Sequence, residues 1–249
     1  MADVKANRRF LKADVWEEME TTDQRRGKPH PPLQRPYPEA APLISLVPMD
    51  ELSLDLSTTV ADAIAHRQSV RRYADEELTL EELSFLLWST QGVRYVHPSG
   101  RALFRTVPSA GARHPFETYL VIRRVADLAV GLYRYLSLGH QLSLIRTAPD
   151  LPEKAAAACH RQSFVADAAV TFFWTAVPYR TEWRYGEAAA KLVALDAGHV
   201  CENLYLAAAA VGCGACAIAA YNQSLVDDLL GVDGEEEFAI YVAPVGKQE

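Results

Sequence analysis

Arg67, Ser69 and Arg71 lie within five consecutive residues, Arg67-Gln68-Ser69-Val70-Arg71. Two guanidinium forks flanking a hydroxyl make a receptor for a small, doubly charged phosphate. Either backbone serves. In a helix the two arginines are i and i+4, and in a strand four residues are two full periods, so both end on one side. An extended path adds Ser69 to that side and turns Arg72 away. The competing reading pairs the arginines with the acidic run Asp75-Glu76-Glu77 as exposed ion pairs, which are common and weak.

Pro108-Ser109-Ala110-Gly111 is a second candidate. Its small residues let backbone approach a flat ligand closely, although a plain turn before a strand reads the same way. Arg184-Tyr185 is a third. The phenol is placed to supply an acid or a substrate contact, or else to anchor the helix that follows. Cys213-x-x-Cys216 has neither an electropositive helix start nor a second ligand pair, and His160 and His199 lack ligand spacing, so no metal site is expected. Gly212-Cys213-Gly214-Ala215-Cys216-Ala217 formally matches a dinucleotide fingerprint. There the order is reversed, with a helical signal before it and a strand-like one after, so the match is chance. No G-x-S-x-G nucleophile motif is present.

The 249 residues are 49% apolar and 23% charged, an ordinary globular composition long enough to bury a substantial core. Net charge is −7 without a clustered basic footprint, which excludes nucleic acid as a partner and suits a local cationic pocket for small anions. Cys159, Cys201, Cys213 and Cys216 sit in apolar contexts and point to a reducing, cytoplasmic compartment rather than a disulfide framework. Arg8-Arg9-Phe10 resembles a twin-arginine signal but lacks the apolar region that must follow, so export is rejected. The uncharged run Leu204 to Tyr221 is alanine-rich and broken by Gly212 and Gly214. A buried helix running into a strand explains it better than a membrane span.

Residues 1–56 read as an arm, with seven prolines between Lys28 and Pro48 favouring extended backbone. Interspersed Leu33, Tyr37, Leu43, Ile44, Leu46 and Val47 predict that it packs along its own protein or a partner subunit. Residues 57–249 read as one α+β domain. Thr59 caps a short helix to His66, and Thr79-Leu80-Glu81-Glu82 is a capping box opening a helix that stops at Gly92. Residues 94–104 read as a loop. Strands are expected at 117–122, 131–136, 141–145, 168–177 and 237–247, and helices at 152–161 and 187–211. The last helix, rich in alanine and leucine, predicts burial nearly all round, at the protein's centre or a subunit interface.

In combination these segments resemble the nitroreductase superfamily and, within it, the SagB-type dehydrogenases. The resemblance rests on Arg67-Gln-Ser-Val-Arg71, Leu86-Leu-Trp-Ser-Thr-Gln-Gly92, Arg105-Thr-Val-Pro-Ser-Ala-Gly-Ala-Arg-His-Pro115, Gly131-Leu-Tyr-Arg-Tyr135, Asp196-Ala-Gly-His-Val-Cys-Glu-Asn-Leu204 and Pro244-Val-Gly-Lys247. It implies a nitroreductase-like fold, a central mostly antiparallel sheet flanked by helices, with the long helix at a homodimer interface. It also implies FMN at that interface and ping-pong hydride transfer from NAD(P)H to a small-molecule or peptide-derived acceptor. Carried over by position, Arg67, Gln68, Ser69, Arg71 and Lys247 would hold the phosphate, ribityl chain and pyrimidine edge. Gln162 would face the pyrimidine, and Ala219 and Ala220 would bring backbone N–H groups to flavin N5. Pro108, Ser109, Ala110 and Gly111 would come from the other subunit. Arg184 and Tyr185 stand where peptide azoline oxidases carry a Lys-Tyr pair, and arginine is no base near neutral pH. The proline-rich arm motivates an alternative, a flavin-holding subunit of a peptide-modifying complex without turnover of its own.

Overall fold

The computed structural model describes residues 4–19 and 21–249. Nine strands occur among them: β1 (Leu43–Ser45), β2 (Val93–Val96), β3 (Leu103–Arg105), β4 (Phe116–Ile122), β5 (Gly131–Leu136), β6 (Gln141–Thr147), β7 (Val170–Ala176), β8 (Cys213–Ala215) and β9 (Phe238–Lys247). Seven form one sheet in the order β1-β6-β5-β4-β7-β9-β8, and every neighbouring pair is antiparallel. The fold is α+β, an antiparallel sheet flanked by helices, as the resemblance implied.

Strands β4, β5 and β7 are buried at every position, so both faces of the sheet centre need cover. Side chains alternate accordingly. Leu120, Phe172 and Trp174 pack with Leu86, Leu87, Val200 and Leu204 from the helices Leu80–Gln91 and Ala189–Ala210. Tyr119, Val121 and Phe173 pack on the other face with Leu151, Ala155, Val226 and Leu230. Those come from the helices Leu151–Ala158 and Gln223–Leu230.

Both N-terminal signals for the first two domain helices hold. Thr59 accepts a bond from the Asp62 N–H, and Thr79 with Glu82 closes a reciprocal capping box. Three elements differ from expectation. Residues 94–104 form the β2–β3 hairpin rather than a loop. The helix Gln223–Leu230 went unread, although Asn222 caps it by accepting from the Leu225 N–H. The helix Tyr179–Tyr185 precedes the long one, separated from it by Gly186 at φ 49°. The long helix is also less enclosed than its composition predicts. Ala194, Leu195, Gly198, His199 and Glu202 form an exposed stripe in the single chain, with Leu195 52% exposed.

The proline-rich segment lies on its own chain. Prolines remove N–H donors but leave carbonyls, and two buried arginines donate to them. Arg134 bonds the carbonyls of Arg35 (2.6 Å) and Pro36 (2.9 Å), and Arg180 that of Pro32 (2.9 Å). Glu117 pairs with both guanidinium groups, at 3.0 Å and 2.5 Å. Further along, β1 extends the sheet by pairing with β6.

Candidate functional site

The helix Val60–His66 ends at Arg67, which turns extended at φ −57°, ψ 134°. The chain beyond lies against β8: the Val70 N–H donates to the Ala215 carbonyl (2.9 Å), and Ser69 bridges Ala215 in parallel. This close approach requires Gly214, because a Cβ there would stand 2.5 Å from Val70 Cβ. The glycine of the apparent dinucleotide motif therefore serves packing. Tyr73 lies equally close on Gly246, where an added Cβ would meet its ring at 2.9 Å.

Arg67 stands 5.0 Å over the Tyr205 ring, and Ser69 Oγ is 3.1 Å from the Tyr205 hydroxyl. Arg67 Nε is buried without a hydrogen-bond partner. Asp75 pairs instead with Arg124 (3.2 Å), and among the described residues neither Arg67 nor Arg71 is matched by a carboxylate. The competing surface-pair reading of the two arginines thus finds no ion pair. Arg71 approaches the Phe164 ring at 5.9 Å. Two residues earlier, the Gln162 amide donates to the carbonyls of Cys159 (2.9 Å) and Ala220 (3.3 Å). The loop before it is held in left-handed conformation at His160 (φ 54°) and Arg161 (φ 60°), a strained geometry for non-glycine residues. Ala219 and Ala220 are exposed, and no acceptor among the described residues faces their N–H groups.

Arg67, Ser69, Arg71, Gln162, Ala219 and Ala220 are thus gathered at one end of the sheet. Gln68 is exposed beside them. Lys247 is adjacent, since its carbonyl accepts the Ala74 N–H, but its ammonium is bonded to Glu82, the capping-box glutamate. Burial alone would lower the Lys247 pKa. The Glu82 bond and the fields of Cys213, Glu82 and Glu76 together outweigh it and hold the ammonium above the ordinary lysine value.

Pro108, Ser109, Ala110 and Gly111 are elsewhere. Asp196, buried in the long helix, accepts from Ser109 Oγ (2.6 Å) and the Ala110 N–H (3.2 Å). Burial raises its pKa above the usual carboxylate range, against the pull of those two bonds. Gly111 (φ 57°), Ala112 (φ 53°) and His114 (φ 45°) are left-handed. At Gly111 a Cβ would come within 2.4 Å of the Tyr185 hydroxyl and 3.1 Å of Arg184 Nε. The loop therefore rests on the Arg184-Tyr185 pair. Arg184 stacks at 5.5 Å on the Tyr185 ring, and Trp16 of the arm meets that ring edge-on at 5.7 Å.

The long helix separates the two sets. Asp196 holds the 108–111 loop and Tyr205 holds the 67–71 segment, nine residues and about 14 Å apart along its axis. Neither residue had been assigned a role from the sequence. An aspartate and a tyrosine inside an alanine-rich helix were the available signal.

The buried, unpartnered Arg67 Nε, the unmatched Arg71 and the free Ala219 and Ala220 amides fit an anionic, hydrogen-bonding cofactor. Cys213 and Cys216 are both buried and free, with burial pushing the Cys213 thiol up to about 12. No described helix is long and apolar enough to cross a membrane.

Comparison with known proteins agrees with this geometry. Residues 64–247 match the nitroreductase family. MJ1384 of Methanocaldococcus jannaschii, a candidate nitroreductase, is 32% identical over 82% of this chain and 96% of its own length. The trifolitoxin-processing protein TfxB of Rhizobium leguminosarum bv. trifolii is 28% identical over 83% of this chain, which spans only 56% of TfxB. A candidate nitroreductase structure from Ralstonia eutropha JMP134 superposes with a TM-score of 0.69 at 26% identity, covering 89% of this chain and 99% of that one. The E. coli microcin synthetase McbBCD complex, solved with truncated pro-MccB17 bound, shares the fold at a TM-score of 0.61 and 15% identity, over 98% of this chain and 91% of the matched chain. With its family match extending across residues 64–247, this chain belongs to the nitroreductase family.

Proposed function

We propose that this protein is a cytoplasmic, FMN-dependent oxidoreductase of the SagB type, passing hydride from NAD(P)H to a small or peptide-derived acceptor. The observation that carries this reading is Arg67, whose buried Nε has no partner and whose charge no carboxylate among the described residues matches. Proteins of this family are generally flavin-dependent oxidoreductases and commonly homodimers. When bound, FMN supplies two-electron hydride acceptance and release at N5.

The chain's own residues have distinct parts in this scheme. Arg67 and Arg71 bind the phosphate, with Ser69 held toward it by Tyr205. Gln162, fixed to the Ala220 carbonyl, orients the pyrimidine edge, and Gln68 lies beside it. The Ala219 and Ala220 amides tune N5 by hydrogen bonding. Lys247 reaches the site on release from, or together with, Glu82.

The second set, Pro108 to Gly111 with Arg184 and Tyr185, completes the site in a homodimer. The exposed stripe 194–202 of the long helix is where a second copy would lie, bringing its own loop to the first copy's arginines. Tyr185 then supplies a hydroxyl to the acceptor. Arg184 remains charged and orients it. TfxB is named a trifolitoxin-processing protein, and this supports reading the acceptor as peptide-derived.

The test is the absorbance spectrum of the purified protein and its response to reductant. Flavin bands that bleach anaerobically with NADH or NADPH and return with an acceptor are expected. A colourless protein that takes up no FMN sinks the proposal.

A further inference from the structure

A cleft of about 680 Å³ opens beside the 108–111 loop, lined by Arg94, Phe104, Arg105, Arg113 and Arg184 among others. That volume lies within the range of small-ligand sites. Its charge is unusual. None of these four arginines has a carboxylate within ion-pair distance among the described residues, in a chain whose net charge is −7. Of the buried carboxylates nearby, Glu117 is already shared by Arg134 and Arg180, and Asp196 is taken up by Ser109 and the Ala110 N–H.

Arg105 and Arg113 are both over nine-tenths buried. Arg105 bonds one protein group, the Gln91 carbonyl, and its Nε has no partner. Arg113 is held by the Gly111 carbonyl (3.0 Å), by His30 (2.5 Å) and by the Trp183 ring at 5.5 Å. Those partners hold the guanidinium without neutralising it. Gathering unmatched cations out of water is unfavourable unless an anion joins them. Burial and the Arg105 charge also push His114 down to about 3, so this histidine adds hydrogen-bonding capacity and no further positive charge.

An aromatic surface adjoins the arginines. Phe104 is 43% exposed and sits 5.8 Å from Tyr95 across the β2–β3 hairpin. Guanidinium forks for phosphate together with an open aromatic face for a flat base are the two halves of a nucleotide receptor.

We propose that this cleft binds the adenine-nucleotide half of the reduced nicotinamide dinucleotide, with its phosphates on Arg94, Arg105, Arg113 and Arg184 and its base on Phe104. The inference rests on the flavin reading above. The loop that would border the flavin is also a wall of the cleft, so a dinucleotide seated here extends its nicotinamide end toward that loop.

The test is calorimetric titration of ADP into the FMN-loaded protein, with flavin absorbance recorded separately. ADP should bind, and more tightly than inorganic pyrophosphate. Arg94→Glu, an exposed position, should weaken ADP by about tenfold or more, and Phe104→Ala by about fivefold or more, with FMN content unchanged in both. Three results overturn the proposal: no ADP binding to the FMN-loaded protein, unchanged affinity in both variants, or loss of FMN in Arg94→Glu. The last would mean that the arginines hold the flavin itself. ADP binding to a protein that never takes up FMN would preserve the nucleotide cleft and remove the flavin reading instead.

Discussion

The Arg67 guanidinium lies 5.0 Å above the ring of Tyr205 while Ser69 Oγ stands 3.1 Å from the same tyrosine's hydroxyl. One side chain of the long helix therefore positions two residues of the 67–71 segment. No carboxylate among the described residues competes for Arg67. Arg67→Ala should lower FMN affinity by about tenfold or more, since charge-assisted bonds contribute about 1.5–3 kcal/mol each. A flavin titration run beside a thermal melt checks this, with the melt nearly unchanged. Wild-type affinity in the variant would move the phosphate elsewhere.

Tyr205→Phe removes the hydroxyl that also accepts the Ala217 N–H at 2.7 Å. An amide left without its acceptor costs about 1–3 kcal/mol, so the variant should melt at lower temperature and retain less FMN. If only the melting temperature changes, Tyr205 supports β8 and not the cofactor segment.

Gly214→Ala places a methyl 2.5 Å from Val70 Cβ, against a segment held by its own backbone bonds. Displacement of residues 67–71 and loss of retained flavin are expected. Adding Val70→Gly, which removes the clashing Cβ itself, should recover part of both, a coupling that a double-mutant cycle measures directly. Simple additivity of the two changes would refute the close approach.

Glu117 anchors the arm through Arg134 and Arg180. Burial would raise its pKa, but the two guanidinium groups outweigh that and hold it below the ordinary glutamate value. The unfolded chain then takes up the proton first as pH falls. The stability Glu117 contributes is present above the unfolded value and lost as pH drops through the folded one. Melting temperature should decline in acid for the wild type. Glu117→Gln should be destabilised by roughly 3–5 kcal/mol at neutral pH, because two buried cations lose their partner. It should also show a flatter acid limb, and protease cleavage within residues 29–38 should be faster. An acid limb as steep as that of the wild type would assign the titration to another carboxylate.

Much of the fold was legible in the sequence because its signals are local. The Thr79-Glu82 capping box, the β-branched and aromatic run of β4 and the alanine-rich long helix each depend on neighbours within a few residues. The arginine spacing likewise specified one side whichever backbone formed. Tertiary structure alone decided what those residues face. Tyr205 reaches Ser69 across 136 positions and Lys247 reaches Glu82 across 165. The hairpin at 93–105 escaped because its two short strands, the first of them largely exposed, pair only with each other, whereas the helix Gln223–Leu230 carried a local signal in its Asn222 cap and went unread despite it. The separation of Asp196 from Tyr205 along one helix also has no local signature. It sets the loop and the arginine segment about 14 Å apart along one 22-residue helix.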